Sequence, residues 1–404
     1  MRLAIFNSFP FHHEMFGYWI DFCMQYGHSL DIYTETGGNL GWILFYLKWI
    51  HEKQKYSTIK FINLAKFQID PYDSIILATD DDPEFSYTSV ANKFIAIDHY
   101  CENRQNSIQK HIGTRWFSKR SPQIEWCLPV FGIDLFADKI GDNLSVTVIG
   151  DTNVPKNSLE FQRMITLFTN FHKIKFNLIS RRINLALFES YLNITTFESI
   201  EAEKMLDIIA QSHYVLVLST GDFIADKMSG CVPIAFSMLR RLILPAEMNR
   251  YYKFSSCIEY QEKCPFELLS YSDSDRELVQ KERELLIRHR NSVFAKYLAK
   301  HTALIVEPRK LEKLPAILAH FQKILGNEWR IVFYHGADAD WELNLPDIEM
   351  RALNVNNFTP NEYSDFLKQK DLWSSLYGDY VLVFQADTWI YNDSGYTIND
   401  FINK

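Results

Sequence analysis

Two adjacent histidines, His12 and His13, stand in "FPFHHEM" just after a first apolar run. An imidazole titrates near neutral pH, so either ring there could take a proton from a hydroxyl, although a buried structural histidine is the other reading of each. A second candidate is "VTVIGDTNVPKNSLEFQRMITLF", an apolar run, a glycine turn and a helical pattern with Lys156 beside its start. Free amides and the positive end of a helix dipole suit an anion, and Lys156 adds a cation. A third is Asp387, the lone carboxylate at the top of "YVLVFQAD". A carboxylate at a strand end can hold Mg²⁺ or Mn²⁺ against a diphosphate. Asp98 and His99 close another apolar run, and "TDDDPE" at 79–84 is either a metal motif or a solvated acidic turn.

These residues need strand ends to present them. "RLAIFNS", "SLDIYT", "IKFINL", "DSIILAT", "KFIAID" and "EWCLPVFGI" read as strands, and "EMFGYWIDFCMQYG" reads as a helix ended by Gly27. The apolar stretch "LGWILFYLKWI" is too short to span a bilayer and reads as a buried or interfacial helix. "DLFADKIGDN" at 134–143 looks like a linker, after which the alternation restarts. "LSVTVIG", "KIKFNLIS", "YVLVLS" and "CVPIAFS" are expected strands, with a helix over "AEKMLDIIAQS". The stretch 272–300 predicts one long helix, capped by Ser274 and Glu277, with a stripe through Leu278, Leu285, Leu286, His289 and Val293. "TALIVEP", a helix with Pro315 at its start and Gly326 past its end, "WRIVFYHG" and a central buried strand "YVLVFQAD" make a third start. Apolar strands alternating with helices predict α/β architecture with parallel sheets, two Rossmann-like domains at 1–137 and 138–270, a linking helix at 271–300 and a partial α/β domain at 301–404.

Composition narrows the partners. With 404 residues, 47% hydrophobic and 23% charged, the chain has material for several cores. A net charge of -8 without a basic stripe argues against nucleic acid. Six cysteines without a Cys-x-x-Cys pair suggest reduced thiols in a cytosol-like compartment. No signal peptide or membrane span is expected.

From the glycine turn at Gly150 to "GCVP" at 230–233, the order of elements resembles the donor-binding domain of GT-B nucleotide-sugar glycosyltransferases, and "LPVFGID" at 128–134 is similar to the segment closing that family's first domain. The resemblance implies a GT-B-like pair over about residues 1–295 that binds a nucleotide-sugar donor and a glycan or other hydroxyl acceptor. It places Lys156 on the pyrophosphate, Thr220, Gly221 and Asp222 by the sugar, and His12 or His13 on the acceptor side as base. The family's arginine after the first-strand glycine is replaced by Asp151-Thr152, and Arg181 or Arg182 could supply that charge instead. The glutamate pair found around many such sugar loops is absent, leaving Asp222 and Asp226. No metal is implied for this pair.

The last hundred residues resemble the opening half of a GT-A-like glycosyltransferase family, through Val306-Glu307-Pro308-Arg309, Trp329 with His335-Gly336, and Gln385 with Asp387. That resemblance implies Mg²⁺ or Mn²⁺ at Asp387, and the acceptor-binding half that such domains add is expected either to be missing from this chain or to have decayed. Similar multi-domain sugar transferases occur in large DNA viruses, which would put the protein in host cytoplasm. The expectation is therefore a cytoplasmic glycosyltransferase, with a nucleotide-sugar epimerase or a catalytically degenerate scaffold as the alternatives.

Overall fold

The structure is a computed structural model that describes residues 1–404 apart from 10–11, 36–39, 54–58, 80–92, 100–109, 116–124, 134–139, 142, 151–160, 162–172, 185–186, 189, 219–226, 261–268, 270–271, 327, 338–347, 377, 392–394, 396 and 403–404. It is a mixed α/β protein with three parallel sheets, divided into a body spanning Met1–Arg290 and a second spanning Asn291–Lys404.

The first sheet is built from β1 (Arg2–Asn7), β2 (Ser29–Thr34), β3 (Ile59–Asn63), β4 (Ser74–Leu77), β5 (Phe94–Asp98) and β6 (Lys110–Gly113), in the order β3-β2-β1-β4-β5-β6. The order reverses between β1 and β4, which opens a crevice outside the strands' carboxyl ends. β1, β4 and β5 are almost wholly buried, as continuous apolar strands of a covered parallel sheet must be. Helix α1 (Phe16–Tyr26) follows β1 and ends on Gly27, whose φ of 70° continues the chain in the left-handed region. Helix α2 (Leu40–Glu52) buries Ile43, Phe45, Tyr46 and Trp49 and exposes Leu40, Leu44 and Leu47.

The second sheet repeats the pattern with β7 (Ser145–Ile149), β8 (Lys175–Ser180), β9 (Ile194–Glu198), β10 (Tyr214–Val217), β11 (Arg241–Pro245) and β12 (Ile258–Tyr260), ordered β12-β11-β10-β7-β8-β9. Its switch lies between β7 and β10. Val146, Val148, Phe176, Leu178, Tyr214 and Leu216 form its core with Phe161. Helix α3 (Ala202–Gln211) lies beside α2, where Lys48 Nζ pairs with Glu203 at 3.1 Å.

Two stretches depart from the expected strands. Residues Cys231–Ser237 form helix α4, not a strand. Six of its seven residues are buried, so no polar face betrays a helical period, and β-branched and aromatic residues mimic a strand. β11 then takes the sheet position at Arg241–Pro245, followed by α5 (Ala246–Tyr252). Residues 125–133 contribute only an isolated bridge, Gly113 to Trp126. Cys127, Leu128, Val130, Phe131 and Ile133 are buried as irregular chain, and Phe131 N donates to Ser237 Oγ at 3.0 Å, joining this segment to α4.

The long helix α6 (Asp273–Leu298) is present but turned from the expected face. Leu278 and Leu285 are exposed, whereas Val279, Arg283, Arg290 and Tyr297 are buried along with Val293, the one residue of the expected stripe in the core. Arginines occupy seam positions at heptad spacing, so counting apolar residues alone chose a neighbouring stripe. Arg283 donates to Ser237 O at 3.2 Å, and Arg290 donates to Asp21 Oδ2 and Val130 O, each at 2.9 Å. The amino end is bonded to the second sheet, through Arg241 with Asp275 and the Ser255 and Ser256 amides on Glu282. Its start is held by the Ser272 amide on Asp275 Oδ2 at 2.9 Å, two residues before the expected cap.

The second body carries β13 (His301–Glu307), β14 (Trp329–His335), β15 (Ile348–Ala352) and β16 (Tyr380–Phe384), ordered β15-β14-β13-β16. Helix α7 (Leu314–Leu325), with Pro315 in its first turn and Gly326 past its end, packs Ile317, Leu318 and Phe321 on one face of this sheet. Helix α8 (Pro360–Leu367) opens on a capping box of Thr359 and Glu362. β16 is not the expected central buried strand: it is the edge, with Tyr380, Val381 and Val383 36–49% exposed. An unbroken apolar run predicts burial on both faces, yet here only Leu382 and Phe384 join the core. No helix among the described residues is long and apolar enough to cross a membrane.

Candidate functional site

Backbone geometry separates the two histidines at the carboxyl edge of the first sheet. After β1 the chain passes His12 at φ 66° and ψ 24°, left-handed values uncommon outside glycine, and enters a 3₁₀ turn over His13–Met15. This reversal sends the neighbouring rings apart. His13 is 1% exposed, with Nε2 3.3 Å from Thr34 Oγ1, and its carbonyl accepts from Tyr46 Oη at 2.9 Å. Burial pushes its imidazole down to about 4, so it is a neutral core residue at physiological pH. Of the two expected bases, only His12 has the exposure to meet a ligand, its side chain being 23% exposed.

His12 lies between His99 and Glu14. Its ring stacks on His99 with centroids 4.0 Å apart and an interplanar angle of 30°. His99 follows β5 and donates from Nε2 to the Ala78 carbonyl at 2.8 Å; because a carbonyl only accepts, that nitrogen carries the hydrogen. Burial pushes the His99 imidazole down to about 4. The other neighbour described is Glu14, whose Oε1 lies 3.5 Å from His12 Nδ1. Burial alone would raise the Glu14 carboxyl; the His12 ring, the residue's own N–H and His99 outweigh it and hold it below the usual range. Asp98 lies beneath, buried, and accepts from His111 Nδ1 at 2.9 Å. The secondary pair Asp98 and His99 thus divides into a structural carboxylate and a ring beside His12.

The second sheet closes on this cluster at Gly230, the residue before α4. A Cβ built on Gly230 would stand 3.0 Å from Glu14 Oε1 and 3.4 Å from its Cγ and Cδ. Any side chain there would displace the carboxylate. Next in sequence, burial pushes the Cys231 thiol up to about 11, with Glu14 raising it further and Arg181 acting against both. Arg181, exposed after β8, therefore lies within electrostatic range of the same place. Its carbonyl accepts from Ser199 Oγ at 2.6 Å, which fixes the backbone and leaves the guanidinium outside. Lys156, Thr220, Gly221 and Asp222 lie outside the described residues, as do residues 80–84 of the acidic turn. Glu14 was not singled out in sequence, and Gly230 entered only as the first residue of "GCVP", not as a site residue. Glu14 is next but one to His12, while the approach of Gly230 is a tertiary contact with no local signature.

The second body has its own cavity, of about 770 Å³, at the carboxyl ends of β13 and β16. Glu307, Arg309, Lys313, Thr359, Gln385 and Asp387 are among its lining residues. Arg309 Nε and Nη2 each donate to Glu307 at 2.8 Å, so this pair neutralises itself. Asp387 is then left as a single carboxylate facing the cavity. Among the described residues no group of three or more His, Cys, Asp or Glu side chains could hold a metal ion.

No family model and no curated protein matches the chain. Among solved structures it is similar to a glycosyltransferase from Rickettsia africae, at 11% identity and a TM-score of 0.48 over 74% of this chain and 98% of that one. It is also similar to a glycosyltransferase involved in avilamycin A biosynthesis, at 11% identity and a TM-score of 0.47, again over 74% and 98%. The UDP-GlcNAc 2-epimerase from Neisseria meningitidis, solved with UDP-GlcNAc bound, is similar at 11% identity and a TM-score of 0.44, over 74% of this chain and 99% of that one. Identities this low bear on no residue's role.

Proposed function

We propose that the chain is a nucleotide-sugar glycosyltransferase whose reaction takes place between the first and second sheets, with His12 as the base. The observation that carries this reading is the partly exposed His12 imidazole, between His99 and Glu14, where Gly230 of the second sheet meets the first. A hydrogen on Nδ1 facing Glu14 leaves the lone pair on Nε2, the form a general base needs. His12 would take the acceptor hydroxyl's proton as its oxygen attacks the anomeric carbon. The bond from that carbon to the diphosphate breaks, and the electron pair leaves with the nucleotide. In this reading Lys156 and Arg181 neutralise the departing diphosphate, while Thr220, Gly221 and Asp222 face the sugar. Cations and amides can serve that role without a metal, and no step is assigned to one at Asp387.

Calorimetry of the full chain with UDP-, GDP- and dTDP-sugars tests the donor site, with Arg181→Ala and Lys156→Ala expected to weaken binding of the accepted donor roughly tenfold. Absence of heat with every donor refutes the reading. A product assay run without acceptor separates it from epimerisation: conversion of the sugar under those conditions would reassign the cleft. Binding to protein partners alone would support a scaffold.

A further inference from the structure

We propose that Glu14 is the positioning residue of this cleft: its carboxylate, packed against Gly230 of the second sheet, holds the Nδ1–H of His12 and thereby makes the base depend on contact between the two sheets. The inference rests on His12 being the base.

Glu14 sits at a junction of two constraints. On one side it reaches back across the 3₁₀ turn to His12 Nδ1 at 3.5 Å. Local connectivity alone would leave a glutamate side chain three torsions of freedom there. On the other side the backbone of Gly230 comes close to the carboxylate, so that a methyl in its place would stand 3.0 Å from Oε1 and the glutamate would have to shift. The left-handed backbone at His12 turns its ring toward the glutamate and onto His99. His99 cannot replace Glu14 as acceptor for Nδ1–H in a stacked arrangement, because stacked rings present faces and not lone pairs to each other. Its own Nε2–H is committed to Ala78 O. Among the described residues, the titratable groups that bear on His12 or on Glu14 are His13 on the same turn, Tyr46 of α2, His99 from the loop after β5 and Cys231 at the start of α4, with Arg181 acting on Cys231. Glu14 is the one that both touches the ring's donor nitrogen and touches the opposing sheet.

Long-range ¹⁵N–¹³C NMR of the histidine rings at alkaline pH reads the tautomer of His12 in the full chain, with no donor and no turnover required. The expected result is the Nδ1–H form in the native protein and a shift toward Nε2–H in Glu14→Ala, by about tenfold in the tautomer ratio, the size expected for one hydrogen bond to a carboxylate. Glu14→Gln, which keeps an acceptor oxygen, should restore part of the native ratio. Gly230→Ala, which alters only the second sheet, should move the ratio in the same direction as Glu14→Ala. The His99 ring, held on Ala78 O, reports whether each variant keeps its fold. An unchanged His12 tautomer in Glu14→Ala overturns the proposal, and a change in Glu14→Ala with none in Gly230→Ala overturns the dependence on the second sheet. A protein that shows these tautomer shifts yet binds no nucleotide sugar would refute the proposed function and leave the role of Glu14 standing.

Discussion

Replacing Arg290 by alanine should loosen the first body more than any single surface change. The side chain is 0% exposed and donates to Asp21 Oδ2 and Val130 O, each at 2.9 Å. Breaking a buried ion pair from one side costs about 3–5 kcal/mol, because the remaining charge keeps its desolvation penalty. Asp21 is 18% exposed, so water can recover part of its solvation and the lower limit of about 3 kcal/mol is expected. For a body of this size that corresponds to a fall of about 6 °C in Tm. Urea denaturation followed by tryptophan fluorescence measures the free energy, and hydrogen exchange localises it to the amides of β1 and α1. The double variant with Asp21→Ala should be destabilised by about 1–2 kcal/mol less than the sum of the singles, since the second removal no longer strands a charge. A loss below about 1 kcal/mol for Arg290→Ala, or strict additivity in the cycle, would refute the assignment of this pair as the tie between α6 and the first sheet.

Gly17→Ala should destabilise by about 1–3 kcal/mol, because a Cβ there meets the ring of Phe131 on a buried side chain with little room to move; a thermal melt indistinguishable from the native protein would contradict this. Stability should also fall as pH drops from about 6.5 to 4. His13, His28 and His99 are held neutral by burial with pKa near 4, whereas the unfolded chain protonates them near 6.5, so the unfolded state binds more protons across that window. Each should contribute on the order of 1 kcal/mol, and replacing His99 with phenylalanine should flatten the slope of the urea midpoint against pH. Titrating the nucleotide-free protein with Mg²⁺ or Mn²⁺ should give no millimolar-range binding heat, and heat that disappears in Asp387→Asn would show that the cavity of the second body does build a metal site.

The sheets were legible because parallel strands buried on both faces read as nearly unbroken apolar runs, and β1, β4 and β13 are of that kind. The same cue failed at both extremes. Cys231–Ser237 is apolar all round yet helical, and Tyr380–Phe384 is apolar all round yet lies at an edge with one face open. In α6 the error came from treating arginine as a surface residue, when Arg283 and Arg290 are seam residues whose polar heads find carbonyls and a carboxylate. At the candidate site, the pair of histidines was visible and their difference was not. Which ring faces the cleft is decided by one backbone conformation at His12; its partner His99 arrives from β5's end, and its partner Glu14 is met by a glycine more than two hundred residues away.

The path of α6 makes the first sheet's domain discontinuous in sequence. Residues 1–133 build its strands and helices, but His289, donating to Trp126 O at 2.8 Å, and Arg290 return from the far side of the second sheet to close it. A recombination that exchanges the first domain at a boundary near residue 137 would carry away Asp21, Trp126 and Val130 while leaving their partners behind. Such a chimera inherits a buried arginine with no carboxylate and a carboxylate with no arginine. Portability of this domain therefore requires moving two segments together, and a helix that shares its bonds between both sheets acts as a mechanical brace: it must tilt or bend whenever the angle between them changes.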